Sequence, residues 1–440
     1  MKRQFNKVIF VKHLQDDTSK KLIDGSAIVF LLNVAAIGVS FLTEIVLTRT
    51  LGTANYGHFT YAMAWLNLMV LTGRMGFDTA AVRFVAEYQE RANGSLLKGF
   101  ITRSQQISIC CSFSLSVIVL FFGYVLMDEA TFRTFAMCAL IVPFWSLLFI
   151  YSAYLQGTKF YALSVFPQQI ARPLLIILIV LMINGLFNIK PNSFHAMLSV
   201  LLAVVSTLIM VRVFFQNKVH RLFRDIRPRY KTAYWFNVSF QLCLISFFKI
   251  ALRQIDIIVL GIFANASAVG VYSIAIKISE LTTFGMMVTN VIVAPMISQI
   301  YARGDKELLQ NTVSSTIRII LIATVPLSIV MAICGKWILG LFGADFMIGY
   351  TALVILIIGQ IVNSACGPVG FLMSMTGHQN QSVTVFGSSI LFNLILSLLL
   401  IPPFGLIGAA FSTSLTTVFW NLLLSYLTWK KVGIKTSVFK

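Results

Sequence analysis

Lys249, Arg253 and Asp256 are spaced four and three apart, which puts all three on one face of a helix. They sit in an apolar run from about 234 to 263, long enough to cross a bilayer at about 1.5 Å per residue. A charge at that depth is costly unless it faces protein or water, so this helix is expected to turn its charged face into a bundle or cavity. Such a face can hold an anion, pair with a neighbouring helix as a gate, or carry a coupled ion. We read it as one wall of a transport pathway.

Six further ionisable residues fall inside apolar runs. Lys277 and Glu280 are three apart, and Arg74 and Asp78 are four apart, the last two suiting a structural or gating pair. Arg172 precedes Pro173, where a kink would point it inward. Glu44 has no close partner in sequence, so a partner on another helix, Arg253 or Lys277, would make an outer gate. An Arg253–Asp256 pair within one helix is equally open. The in-span cations (Arg74, Arg172, Lys249, Arg253, Lys277) exceed the anions (Glu44, Asp78, Asp256, Glu280) by one. An exporter of cations should hold unpaired carboxylates, so this margin favours an anionic cargo. Isolated mid-span amides at Asn33, Asn290, Asn363 and Asn393 suit interhelical hydrogen bonds.

The elements that position these residues are read from hydropathy. The chain is 58% hydrophobic and 11% charged over 440 residues, well to the apolar side of a soluble domain. Apolar runs of about twenty residues recur throughout, which makes an all-α polytopic membrane protein. Twelve spans are expected, at about 26–48, 57–80, 104–126, 134–155, 163–185, 194–215, 235–262, 269–297, 316–341, 350–373, 382–402 and 406–428. With the N-terminus inside, twenty-five Lys and Arg fall in inside segments and four (Arg49, Arg133, Lys190, Lys336) outside, which supports both termini cytoplasmic. The formal net charge of +19 is then a topology signal and calls for no nucleic acid. Residues 1–25 are basic and do not read as a cleavable signal. Phe5, Val8, Ile9, Phe10 and Leu14 among them suit a short helix on the membrane surface.

A basic linker, 216–234, separates an N-terminal six-helix lobe, 26–215, from a C-terminal one, 235–428, with a cytoplasmic tail at 429–440. The halves echo one another. Leu51-Gly52, Gly57, Phe59 and Ala62 match Leu260-Gly261, Gly270, Tyr272 and Ala275. Leu96-Leu97 matches Leu308-Leu309, and Gln156-Gly157-Thr158 matches Thr376-Gly377-His378. Six spans per half is even, so the repeat is parallel, about an axis along the membrane normal.

Enzymatic chemistry is poorly supported. No P-loop is present, the five histidines (His13, His58, His195, His220, His378) show no metal-ligand spacing, and the outside loops are too short for a glycosyltransferase site. No cofactor or metal is expected. The six cysteines (Cys110, Cys111, Cys138, Cys243, Cys334, Cys366) lie in or beside apolar runs and read as buried small hydrophobes.

Further pieces sharpen the reading: Gly25-Ser26-Ala27 before span one, Tyr56-Gly57-x-Phe59 after it, and Gly76-Phe77-Asp78-x-Ala80-Ala81-Val82-Arg83-Phe84-Val85-Ala86-Glu87-Tyr88 closing span two. The second half carries Asp256-x-x-x-Leu260-Gly261 and Val269-Gly270-x-Tyr272-Ser273-x-Ala275-x-Lys277. On these the chain resembles the Wzx-type flippases, the polysaccharide-exporter branch of the multidrug/oligosaccharidyl-lipid/polysaccharide superfamily, over nearly its whole length. The resemblance implies a V-shaped, MATE-like bundle with a cavity between two six-helix lobes. It also implies export of an undecaprenyl-diphosphate-linked oligosaccharide across the bacterial plasma membrane, for O-antigen (lipopolysaccharide), capsule or exopolysaccharide. Membrane lipids, and a polysaccharide polymerase and glycosyltransferases, would be its partners. Lys249, Arg253, Lys277 and Arg172 are then the residues expected at the diphosphate or glycan. Glu44, Asp256, Glu280, Arg74 and Asp78 are those expected to gate or to couple an ion. A multidrug or organic-cation antiporter on the same fold is the main alternative, and a non-transport scaffold of a glycan-assembly complex the second.

Overall fold

A computed structural model describes residues 18–126, 129–186, 190–218 and 226–436, with side chains from Leu31 onward. The surface helix expected around Phe5–Leu14 lies outside the described residues. Those described are helical throughout their length, joined by short turns. In chain order the helices are α1 (Thr18–Arg74), α2 (Phe77–Glu90), α3 (Gly94–Leu126), α4 (Glu129–Gly157), α5 (Tyr161–Phe166), α6 (Arg172–Leu186) and α7 (Ser193–Lys218). They continue as α8 (Thr232–Phe263), α9 (Ala266–Leu281), α10 (Phe284–Ala302), α11 (Lys306–Ile333), α12 (Gly335–Gly340), α13 (Tyr350–Cys366), α14 (Val369–Met375) and α15 (Gln379–Val432). A π-helical turn, Pro167–Ala171, joins α5 to α6.

Eight helices among the described residues are long and apolar enough to cross a bilayer, or nine if α9 and the first part of α10, bent by 51°, form one span. This differs from the twelve spans expected, for identifiable reasons. Expected spans one and two run together in α1, and expected spans eleven and twelve in α15. Each of these helices is interrupted once, at Gly52 (φ 73°) and at Gly405 (φ 51°), in conformations that L-residues with side chains disfavour. At 57 and 54 residues both exceed the roughly 20 that one crossing needs. Expected span seven, α8, carries Lys249, Arg253 and Asp256, which sets it apart from the purely apolar helices.

The chain forms two compact units whose boundaries fall inside helices. The first comprises residues up to Thr50 together with Leu66–Phe247; the second comprises Leu51–Trp65 and Phe248–Lys440. In the first unit α4 is the hub, packing on α2, α3, α5 and α7. Small residues and hydroxyls draw these helices close. Ser116 donates to the Ala139 carbonyl at 2.6 Å, Ser108 to the Gly73 carbonyl at 3.0 Å, and Ser104 meets the Tyr154 hydroxyl at 2.6 Å. The first half of α8 is held in this unit by Trp235, whose indole N–H donates to the Tyr88 hydroxyl at 2.8 Å within a cluster of Phe84, Phe100 and Tyr88 rings.

In the second unit α13 packs on α9, α11 and α15. The stretch Leu51–Trp65 joins it through close backbone approach. A Cβ placed on Gly57 would lie 1.7 Å from the Ala266 carbonyl oxygen, and one on Gly270 would lie 2.6 Å from that of Thr53. The two stretches that sequence matching paired are thus in contact here. Three of the six cysteines (Cys138, Cys243, Cys366) are buried as expected, whereas Cys110 and Cys334 are exposed and Cys111 is intermediate. Their helices turn those positions outward. Gly57→Ala is expected to destabilise the detergent-solubilised protein by about 3 kcal/mol, since backbone and not a flexible side chain must move. A thermal melt unchanged from wild type would contradict the close approach.

Candidate functional site

The in-span charges sort into three environments. Asp256, on α8, is 2% exposed. Its carboxylate accepts hydrogen bonds from the Asn393 amide at 3.1 and 3.3 Å, from the Ser397 hydroxyl at 2.7 Å and from the Thr413 hydroxyl. Ser412 completes the cage, 2.8 Å from the Ser397 hydroxyl and 3.2 Å from the Asn393 amide nitrogen. Thr413 is in turn 2.6 Å from the Tyr272 hydroxyl on α9, which also donates to the Ala409 carbonyl at 3.2 Å.

These partners come from opposite arms of α15. Asn393 and Ser397 are four apart before the break at Gly405. Ala409, Ser412 and Thr413 share one face after it, at i, i+3 and i+4. The break lets both arms address one carboxylate. All of the hydrogen-bonding partners of Asp256 are neutral, so they satisfy its lone pairs but leave its charge uncompensated. The arrangement can therefore take up a proton or a small hard cation. Carboxylate, hydroxyl and carbonyl oxygens form the donor set that suits such a cation.

Arg253, three residues before Asp256, has a different partner. It pairs with Glu280 of α9 and, among the described residues, not with Asp256 on its own helix. Arg253 and Glu280 are 66% and 36% exposed at the side chain, which makes this pair weak in water and free to exchange partners. Lys277 approaches Tyr56, 3.3 Å from its hydroxyl and 6.0 Å from its ring centroid. Lys249 is exposed.

The first unit holds the remaining candidates. Arg74 and Asp78 pair at 2.9 Å, and the Arg74 guanidinium lies 4.2 Å from the Phe149 ring centroid. Arg172 follows the π-helical turn and lies 4.4 Å over Trp145. The Trp145 and Phe149 rings are parallel within 7°, so two guanidiniums cap one two-ring stack. Both guanidiniums leave an enclosed Nε without a hydrogen-bond partner; Arg172 differs from Arg74 in that, among the described residues, no carboxylate pairs with it. Glu44 lies half-buried in the first unit.

Sequence reasoning named the charges and missed the neutral partners Ser397, Ser412, Thr413 and Tyr272. Their signal was the i, i+4 spacing of Asn393 with Ser397 and the hydroxyls on one face after Gly405. Asn393 does bond across helices, to Asp256, and Asn363 does so to Asn421 at 3.0 Å.

A family described as polysaccharide biosynthesis protein matches residues 22–301, and a MatE family matches residues 239–399. The chain belongs to the polysaccharide biosynthesis protein family. Among relatives of this family member is a probable low-salt glycan biosynthesis flippase, Agl15, of Haloferax volcanii, 22% identical over 94% of this chain and 85% of the relative. An uncharacterized membrane protein of Methanocaldococcus jannaschii is 23% identical over 90% of this chain and 81% of the relative. Among solved structures, the lipid II flippase MurJ in an inward closed conformation superposes with a TM-score of 0.72 at 14% identity, covering 91% of this chain and 87% of that one. An inward-facing multidrug resistance MATE transporter gives 0.73 at 12% identity, covering 90% and 94%. These likenesses establish a MATE- and MurJ-like fold for a multi-pass membrane protein.

Removing the Asp256 carboxylate strands the Ser397 and Thr413 hydroxyls and the Asn393 amide. Asp256→Ala is therefore expected to lower stability by about 2–3 kcal/mol, read as a drop in melting temperature at unchanged expression. Equal melting of Asp256→Ala and wild type would show that the cage is not formed.

Proposed function

We propose that this protein is a flippase that moves a polyprenyl-diphosphate-linked oligosaccharide from the inner to the outer leaflet. In a bacterial plasma membrane the lipid would be undecaprenyl diphosphate and the product O-antigen, capsule or exopolysaccharide. Membership of the polysaccharide biosynthesis family supports the glycan. The observation that carries the lipid diphosphate is Arg172, a guanidinium at the end of the π-helical turn whose described partner is a ring face and not a carboxylate. A half-buried cation without a carboxylate partner calls for an anion, and a diphosphate matches the guanidinium fork. Lys249, Arg253 and Lys277 supply further positive charge in the second unit.

The mechanism in this reading is alternating access by two six-helix lobes related by a parallel repeat, twelve crossings in all with both termini cytoplasmic. The polyprenyl chain stays in the bilayer while the head group passes through the protein. With the inside negative, carrying an anion outward is electrically downhill by about 2.3 kcal/mol per charge and 100 mV. Return of the emptied basic cavity is favoured by the same field. Where an ion is coupled, Asp256 is the best-built carrier, because its cage is made of neutral oxygens and a nitrogen that leave its charge to the ion. Glu280, already paired with Arg253, is less suited to that task and fits gating. Arg253 with Glu280 would gate at the outer end, and Arg74 with Asp78 would act at the opposite end. Polymerase and glycosyltransferases would work alongside as partners.

The rival drug/cation antiporter predicts drug resistance on overexpression and unchanged glycan in a deletion strain. Under the flippase reading, Arg172→Ala, Arg253→Ala and Lys277→Ala each reduce surface glycan, by about tenfold at Arg172 if one charge-assisted contact is lost. Protein abundance stays normal, and Arg172→Lys is milder than Arg172→Ala. Normal surface glycan in all three alanine variants at normal abundance would refute the assignment.

A further inference from the structure

The first unit contains a cavity of about 550 Å³, a volume in the range of small-molecule sites. It opens where the start of α2, the end of α4 and the α5–π–α6 segment meet. Gln156, Gln168 and Gln169 line it together with Asp78, Arg83 and Ser152, and the Phe149 ring forms part of its wall.

Three features of this lining point to one ligand chemistry. The first is the amides: each glutamine offers a carbonyl acceptor and two N–H donors, the mixed complement that a ring of hydroxyls requires. Gln168 and Gln169 both lie on the π-helical turn, where Arg172 N–H bonds back to the Pro167 carbonyl. Such turns carry poorer backbone geometry than an α-helix and recur at functional sites. The second is unfilled hydrogen-bonding capacity. Ser152 is 4% exposed, and its hydroxyl has no partner. The Oδ1 of Asp78 also has none, while its Oδ2 is held by Arg74 at 2.9 Å. The third is charge. Asp78 is balanced by Arg74, so the lining carries little net charge beyond Arg83, and its amides and hydroxyls disfavour an apolar guest. A neutral polyhydroxylated ligand satisfies all three.

We infer that this cavity is a carbohydrate-binding subsite, which receives sugar residues of the cargo through Gln156, Gln168, Gln169, Ser152 and Asp78. The inference rests on the glycan reading above and specifies where the glycan goes. Phe149 in the cavity wall stacks on Trp145, and Trp145 carries Arg172. Diphosphate at Arg172 and sugars in the cavity are therefore neighbours on one surface of the first unit. On the topology proposed above, this is the cytoplasmic end, where a lipid-linked sugar is loaded.

The test uses the purified full chain in nanodiscs. Saturation-transfer difference NMR is recorded with gluco-, manno-, galacto- and N-acetylglucosamine trisaccharides, and binding of undecaprenyl diphosphate is measured in parallel. Wild type is compared with a Gln168→Ala/Gln169→Ala variant whose melting temperature is unchanged, and with Ser152→Ala. The expected result is saturation transfer to at least one trisaccharide, with about tenfold weaker affinity in the double variant and undecaprenyl diphosphate binding as in wild type. No transfer to any trisaccharide, or equal transfer in variant and wild type, overturns the subsite. Diphosphate binding that depends on Arg172 would in that case leave the flippase reading standing. Trisaccharide binding that depends on the glutamines, with no binding of undecaprenyl diphosphate to wild type, supports the subsite and removes the lipid diphosphate instead.

Discussion

A carboxylate enclosed among transmembrane helices must find hydrogen-bond donors where it stands, since no water reaches it to supply them. Asp256 meets that requirement with neutral donors from two arms of one helix, and this dictates much of the second unit. α8 must present Asp256 to α15. α15 must break so that Asn393 and Ser397 face the same oxygens as Ser412 and Thr413. α9 must bring Tyr272 against Thr413 and Ala409. A continuous α-helix through Gly405 would carry its second arm away from the first, and the carboxylate would lose half of its donors.

The same accounting distinguishes the carboxylates from one another. Asp78 and Glu280 are each met by an arginine, so their charge is already balanced within the protein. Asp256 is hydrogen-bonded without being neutralised. A group of that kind has two stable states, one with a bound cation or proton and one without, and they differ in local charge by a full unit. A salt-bridged carboxylate offers no such difference. The cage therefore fits the ion-coupling role proposed above better than the ion pairs of the second unit do.

Much of this was legible in sequence and some was not, for physical reasons. Charges inside apolar runs stand out because hydropathy penalises them, so Arg172, Lys249, Arg253, Asp256, Lys277 and Glu280 were all identifiable by position. Their partners were not. Arg253 and Glu280 lie on different helices, 27 residues apart, beyond any i, i+4 rule. Serine and threonine carry little hydropathy signal and are common in membrane helices as packing residues, so Ser397 and Thr413 looked like their neighbours. The helix count suffered from the opposite effect: the apolar runs are separable in sequence, but the backbone stays helical through the junctions inside α1 and α15. Gly52, and Gly405 with Pro402 and Pro403 just before it, were the local marks of the breaks in α1 and α15. Gly57 and Gly270, noticed as a repeated motif, turned out to mark a point of near-contact between backbones.

The cations divide in the same way. Arg74 is satisfied by Asp78 on one side and by the Phe149 ring on the other. Arg172 has the equivalent ring in Trp145 but no carboxylate counterpart among the described residues. A structural lock would be expected to supply one, because a guanidinium held in a bundle by a ring alone recovers only part of its lost hydration. The unmet remainder is the energy available for binding an anion that arrives and leaves. The pairing of Arg74 shows that this fold can place a carboxylate beside a guanidinium on the same ring stack when the task is structural. The absence of one beside Arg172 among the described residues fits the cargo-borne partner proposed above.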